Sequence, residues 1–170
     1  VLFRYSPDRK GERPQSHLAT FSGVLQADGY SGFASLYADG RVREAACWAH
    51  LRRDFHDEWD KTNSTIAREA LDRIGALYDI EREINGRPAD IRLAARQKHS
   101  APKVAAFFAW SESQLALIPG KGDLARAFRY GLSRRGAFSL FLENGRVAID
   151  NNPAERALRL PVREAEAERL

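Results

Sequence analysis

Asp28 ends the apolar stretch VLQA and is followed at once by Gly29. A carboxylate at a strand end is where α/β folds often present chemistry, and the same pair of residues also suits an Asx turn. Glu155, inside DNNPAERALR, is the second acid in a special position. Asn152 can cap a helix there and Pro153 fits its first position. Glu155 at N3 can then reach back in a capping box or aim at a metal. Asp150 is a nearby alternative acid, which the local pattern assigns to the turn entering the helix. Arg156 and Arg159 follow as phosphate contacts or surface partners, with Glu155 and Arg159 at an i,i+4 spacing.

Trp48, His50, Arg52 and Arg53 form a denser cluster of recognition groups. His50 can hydrogen-bond a phosphate or move a proton, and the two arginines can position a DNA backbone. The competing reading is that an aromatic and a histidine simply close a strand-to-helix junction. Asp54 and Asp57 share a helix face with His50, but the neighbouring charges suit a solvated, paired surface better than a metal site. There is no HExxH, GxGxxG, Walker A or GxSxG pattern, and Cys47 beside Trp48 does not make a cysteine hydrolase. With one cysteine, an intrachain disulfide and a Cys-rich zinc module are both excluded.

The elements that must position these residues change character along the chain. VLFRY reads as a strand, PQSHLATFSG as a short helix from Pro14 to Gly23, and VLQAD as a strand. YSGFASLY reads as a short helix, Asp39-Gly40 as a turn, VREAAC as a strand, and LRRDFHDEW as a helix. Beyond residue 60 the pattern becomes helical. The spacing predicts a helix from Ser64 to Asn85 and another from Pro88 through IRLAARQKHS, with an interruption or new start near Pro102. Lys103 to Ile118 reads as a further helix, and LARAFRYGLSRR and AFSLFLENG continue the helical character. VAIDNNPAERALR then passes from an extended segment into a helix, and the ending VREAEAERL is charged without an apolar stripe.

The composition, 44% hydrophobic and 29% charged, is that of a folded chain. The net charge of +4 permits nucleic-acid binding without establishing it. No uninterrupted apolar run approaches the roughly 20 residues needed to cross a membrane. The opening residues lack signal-peptide architecture, so a cytoplasmic location is expected, with nucleoid association when DNA is bound.

Taken together, YSPDRKGERPQSHL, LQADGYSGF, EAACWAHLRRDF, IGALYDIEREING and DNNPAERALR resemble, in order and spacing, the bacterial insertion-sequence-66 family of transposases. The resemblance covers Val1 to about Leu160. It implies an α/β, RNase H-like DDE domain with a large, mainly helical insertion. Residues 1–60 would be a partial RNase H-like region and 61–145 the insertion, with 146–162 the return to the catalytic domain and 163–170 a divergent charged tail. On this basis Asp28 matches the family's second catalytic Asp and Glu155 its catalytic Glu, both as ligands of Mg²⁺ or Mn²⁺. Trp48, His50, Arg52, Arg53, Arg156 and Arg159 are the expected DNA contacts. The first catalytic Asp is expected outside these residues, which makes the chain a truncated fragment, inactive alone. The partners implied are transposon-end and target DNA, with a homo-oligomer in the complete protein. The alternative is a non-catalytic DNA-binding or assembly remnant.

Overall fold

The computed structural model describes residues 7, 8, 10–27 and 29–152. The expected VLFRY strand, the charged tail, Asp28, Glu155, Arg156 and Arg159 lie outside the described residues. Helix α1 spans Glu12–His17, strand β1 Gly23–Gln26, a 3-10 segment Ser31–Leu36, and strand β2 Val42–Ala45. Helices α2 (Trp48–Thr62), α3 (Thr65–Glu83), α4 (Ala89–Ala95), α5 (Ala101–Leu117), α6 (Asp123–Ser133) and α7 (Arg135–Ser139) follow. Among the described residues this is a helix-rich α/β chain with a two-stranded parallel sheet.

The strands pair from Gly23 with Val42 to Gln26 with Ala45, joined by the 3-10 crossover. Parallel pairing forces such a crossover and sends both carboxyl ends to the same edge. Gly23 opens β1 instead of ending the preceding helix, because the chain already turns after α1, where the Leu18 amide bonds back to the Pro14 carbonyl.

The long helices form where the sequence supplies an apolar stripe and a cap. The Ser64 hydroxyl accepts from the Ala67 amide at 3.2 Å, and α3 buries Ala67, Ala70, Leu71, Ile74 and Leu77 at helical spacing. Helix α2 buries Trp48, Leu51 and Phe55 and stops at Asn63, whose left-handed φ of 52° lets its amide reach the Trp59 carbonyl. One apolar cluster joins Ala45 and Ala46 to Trp48, Phe55, Ile74, Phe107, Phe108, Phe128 and Phe138, and continues to Val147 and Ile149.

A new α-helix starts beside Pro102, which sits in the first turn of α5, but the chain does not break there. Helices α4 and α5 form one rod through a π-helical turn, Arg96–Ser100, in which the Ala101 amide bonds to the Arg96 carbonyl five residues back. Proline supplies no N–H, and the widened turn just before it absorbs the irregularity without ending the helix.

Arg96, at the start of this turn, is fully buried. Its guanidinium grips Glu81 of α3 in a two-point contact, Nε to Oε1 at 2.6 Å and Nη2 to Oε2 at 2.7 Å. Nη1 donates to the carbonyls of Phe141 at 3.2 Å and Val147 at 2.8 Å. The segment after α7 is thereby tied to the helical rod. Gly145 is required where this segment crosses α4, since a Cβ there would sit 1.8 Å from the Ala89 carbonyl oxygen.

Removing one partner of a buried ion pair leaves the other uncompensated, so Arg96→Ala is expected to lose about 3–5 kcal/mol in urea unfolding. The paired replacement Arg96→Met with Glu81→Leu should recover much of that loss, because neither charge then remains buried. An Arg96→Ala chain as stable as the parent would show that the cluster carries no structural role.

Candidate functional site

Several separate segments converge at the carboxyl edge of the two strands. The Gln26 side-chain amide, the last residue of β1, donates to the Ala148 carbonyl at 2.9 Å across 122 positions of sequence. The Trp48 amide, at the start of α2, donates to the Ile149 carbonyl at 3.2 Å. The buried Cys47 thiol donates to the Asn151 side-chain oxygen at 2.9 Å. Burial pushes that thiol up from its ordinary value, so it acts as a neutral donor rather than a nucleophile.

Asp150 lies at the centre of this arrangement and is only 7% exposed. One carboxylate oxygen accepts from the Asn152 backbone amide at 3.1 Å. The other accepts from the Asn152 side-chain amide at 2.7 Å and from the Tyr78 hydroxyl at 3.1 Å. Both oxygens are thus committed to shaping the turn, which is the role the local sequence pattern assigns to Asp150. Asn152 is the last described residue, and the helix that the sequence predicts around Glu155 lies outside the described residues. Burial first, and then the facing Asp150 carboxylate, raises the Tyr78 phenol well above its ordinary range and keeps it a donor.

On the opposite flank, Gly29 has a φ of +77°, and a Cβ on it would lie 2.8 Å from the Tyr130 hydroxyl. Glycine is therefore needed immediately after Asp28 both for its backbone angle and for the approach of this phenol. Burial pushes the Tyr130 phenol up to about 12, and Arg134, stacked over its ring at 4.8 Å, opposes that shift. Arg134 also pairs with Glu44 of β2 at 3.3 Å.

The α2 cluster divides in two. Trp48 is fully buried, its ring edge-on to Phe107 and Phe138, and its indole N–H donates to the Phe138 carbonyl at 3.0 Å. It packs the core, and the expectation that it contacts DNA is corrected. Arg52 and Arg53 are exposed and make no ion pair among the described residues. They line a cleft of about 470 Å³ between α2 and α3, together with His56, Tyr78, Arg82 and Asn152. His50 is half-buried in the first turn of α2, four residues before Asp54, whose carboxyl is pushed up by burial against the pull of Arg126.

No three His, Cys, Asp or Glu residues gather as a ligand set among the described residues, and both expected ligands fall outside that range. No helix among the described residues is long and apolar enough to cross a membrane. Sequence reasoning missed Tyr78, Tyr130 and Arg96. The signal for Tyr78 was a polar tip within the apolar frame of IGALYDI, where it read only as part of a core stripe.

Tyr78→Phe strips a buried carboxylate of one donor and is expected to lower stability by about 1–3 kcal/mol in denaturant titration. A loss near zero would mean that water replaces the hydroxyl. Trp48→Ala is expected to cost about 3–5 kcal/mol as a core cavity. A Trp48→Ala chain that keeps its stability but loses DNA binding would show that Trp48 contacts DNA rather than packing the core.

The protein-family model described as Transposase IS66 family matches residues 1–165. Two proteins of Sinorhizobium fredii, the uncharacterized proteins y4qI and y4hP, are each 38% identical to this chain, over 166 and 175 aligned residues. Both alignments cover 94% of this chain but only 31% and 32% of those relatives, so the chain spans less than a third of their length. A third, y4jD of the same organism, is 34% identical over 165 residues. No solved structure matches. The order of the motifs around β1, α2 and the DNN turn, and a family match over nearly the whole length, lead to one conclusion: the chain belongs to the IS66 family of transposases.

Proposed function

We propose that this chain carries part of the catalytic domain of a DDE-type DNA transposase, which cleaves and joins transposon-end DNA in the complete protein. Asp28 and Glu155 are its metal-binding carboxylates. The domain is RNase H-like, with 1–60 as part of its α/β body, 61–145 as a helical insertion, 146–162 as the return, and 163–170 as a separate charged tail. The third acid of the DDE set is assigned to no residue of this chain.

The observation that carries the reading is the Gln26–Ala148 hydrogen bond. It ties the strand that leads into Asp28 to the segment that leads into Glu155, although the two acids stand far apart in sequence. The edge concerned is the carboxyl end of parallel strands, where α/β folds build their sites. The donor chemistry fits a hard divalent cation, because carboxylate oxygens are its preferred ligands. Asp150 is given a positioning role instead, since its oxygens accept from Tyr78 and Asn152 and so hold the turn.

Mg²⁺ or Mn²⁺, when bound, supplies activation of the attacking oxygen and stabilisation of the leaving oxygen in phosphoryl transfer. The chain's own contribution is placement. Asp150 fixes the turn before Glu155, Tyr78 and Cys47 fix the flanks of that turn, and Gly29 lets the backbone turn tightly past Tyr130. Arg52 and Arg53 offer unpaired positive charge beside Asn152 for a phosphodiester backbone, and Arg156 and Arg159 are proposed as further contacts. His50 is proposed as a contact from the first turn of α2, and Trp48 is not.

The test is strand cleavage of transposon-end DNA by the parent-length protein with Mg²⁺. Asp28→Asn and Glu155→Gln are each expected to reduce cleavage by about 10³-fold or more while leaving DNA binding in place. Cleavage that survives both substitutions would overturn the site assignment. Salt-sensitive DNA binding with no metal-dependent cleavage by the parent-length protein would favour a non-catalytic module instead.

A further inference from the structure

Helices α2 and α3 enclose two adjoining clefts, of about 470 and 370 Å³, which share Arg52, His56, Gly75 and Asp79 and so form one groove. Most charges along it are already matched. Arg82 pairs with Asp79 and Arg68 with Asp72 at 3.1 Å, while the His56 ring nitrogen lies 3.1 Å from an Asp60 carboxylate oxygen. Arg52 and Arg53 make no ion pair among the described residues, Arg53 interacting only at longer range with Asp54, so both guanidinium groups keep their hydrogen-bond donors for a partner in the groove.

Gly75 is the second observation. It lies in the interior of the 19-residue helix α3, where glycine weakens a helix relative to alanine. Internal packing does not require it, because a Cβ added there would meet nothing within 4 Å. Gly75 lines both clefts, so its missing side chain leaves the groove open at the stretch they share. A glycine lining a groove beside guanidinium groups that make no ion pair suits a partner whose own backbone must come close.

We propose that this groove binds the phosphodiester backbone of DNA, with Arg52 and Arg53 as its phosphate contacts and Gly75 as the residue that lets the strand lie against α3. The choice of DNA as the polyanion rests on the transposase reading. Asn152 lines the same groove, so a strand lying in it leads toward the turn before Glu155. The groove is then the track that aligns the strand with the catalytic carboxylates, and part of the helical region is a DNA-binding wall.

The experiment measures binding of labelled single-stranded and duplex oligonucleotides to the full chain by fluorescence anisotropy, without divalent metal and across a salt series. Gly75→Ala is expected to raise the thermal midpoint of unfolding while weakening DNA binding about three-fold, and the bulkier Gly75→Gln about ten-fold. Opposite signs for stability and binding are a result that a purely structural glycine cannot give. Arg52→Ala and Arg53→Ala should each weaken binding and reduce the slope of log Kd against log salt by about one. Lys103→Ala, which removes the same charge from α5 away from the groove, should change binding much less. The proposal is overturned if both Gly75 variants bind like the parent, if Lys103→Ala weakens binding as much as Arg52→Ala, or if the parent chain binds neither oligonucleotide. The catalytic reading fails separately: cleavage by the parent-length protein that persists in Asp28→Asn and Glu155→Gln removes the active site but leaves the groove measurements standing.

Discussion

A single buried guanidinium ties the long helices to the segment that runs on to the strand edge. Arg96 satisfies Glu81 on one side and backbone carbonyls of the 141–147 segment on the other, entirely out of solvent. A buried ion pair of this kind contributes little net stability over a well-packed apolar substitute, since desolvation offsets most of its attraction. Its value lies in direction. The planar fork offers donors at fixed angles, and here it holds α3, the π turn and the segment after α7 together. The same segment delivers Ala148 to Gln26 and Ile149 to Trp48, and with them the turn that Asp150 shapes.

The aromatic core and the site are consequently one construction. Trp48 packs against Phe107 and Phe138 through its ring, while its backbone amide anchors Ile149 at the edge of the site. Along α2 the buried faces of Trp48, Leu51 and Phe55 alternate with Arg52, Arg53 and His56, which face the α3 groove. One helix therefore fixes the core with one side and presents charge with the other. Tyr78 on α3 works in a similar way, with its ring at the margin of the core and its hydroxyl on Asp150. Through Tyr78 and Asn152, the region that reads as an insertion borders the turn it interrupts in sequence.

Much of the local structure was legible in the sequence. The apolar stripe after Ser64 marked α3, the Asp39-Gly40 turn separated the 3-10 segment from β2, and the DNN stretch announced the turn that Asp150 shapes. Pro102 marked the start of α5 but not a break in the rod, since proline fits the first turn of a helix. The π turn before it is a tertiary solution, with Arg96 held by acceptors distant in sequence. Trp48 misled because an aromatic next to His and Arg residues can stack on a base or fill a core, and only its neighbours decide. Those neighbours come from α5 and α7.

By itself the sequence determined the local elements and the family, because helical periodicity, capping residues and ordered motifs are properties of short stretches. It also singled out Asp28 and Glu155 as the acids in special positions. The tertiary structure alone decided that Gln26 lies against Ala148, that Arg96 is buried, and that Arg52 and Arg53 share a groove with Gly75. These facts depend on how side chains from distant segments divide the available hydrogen bonds and space, and no periodicity within a segment records that division.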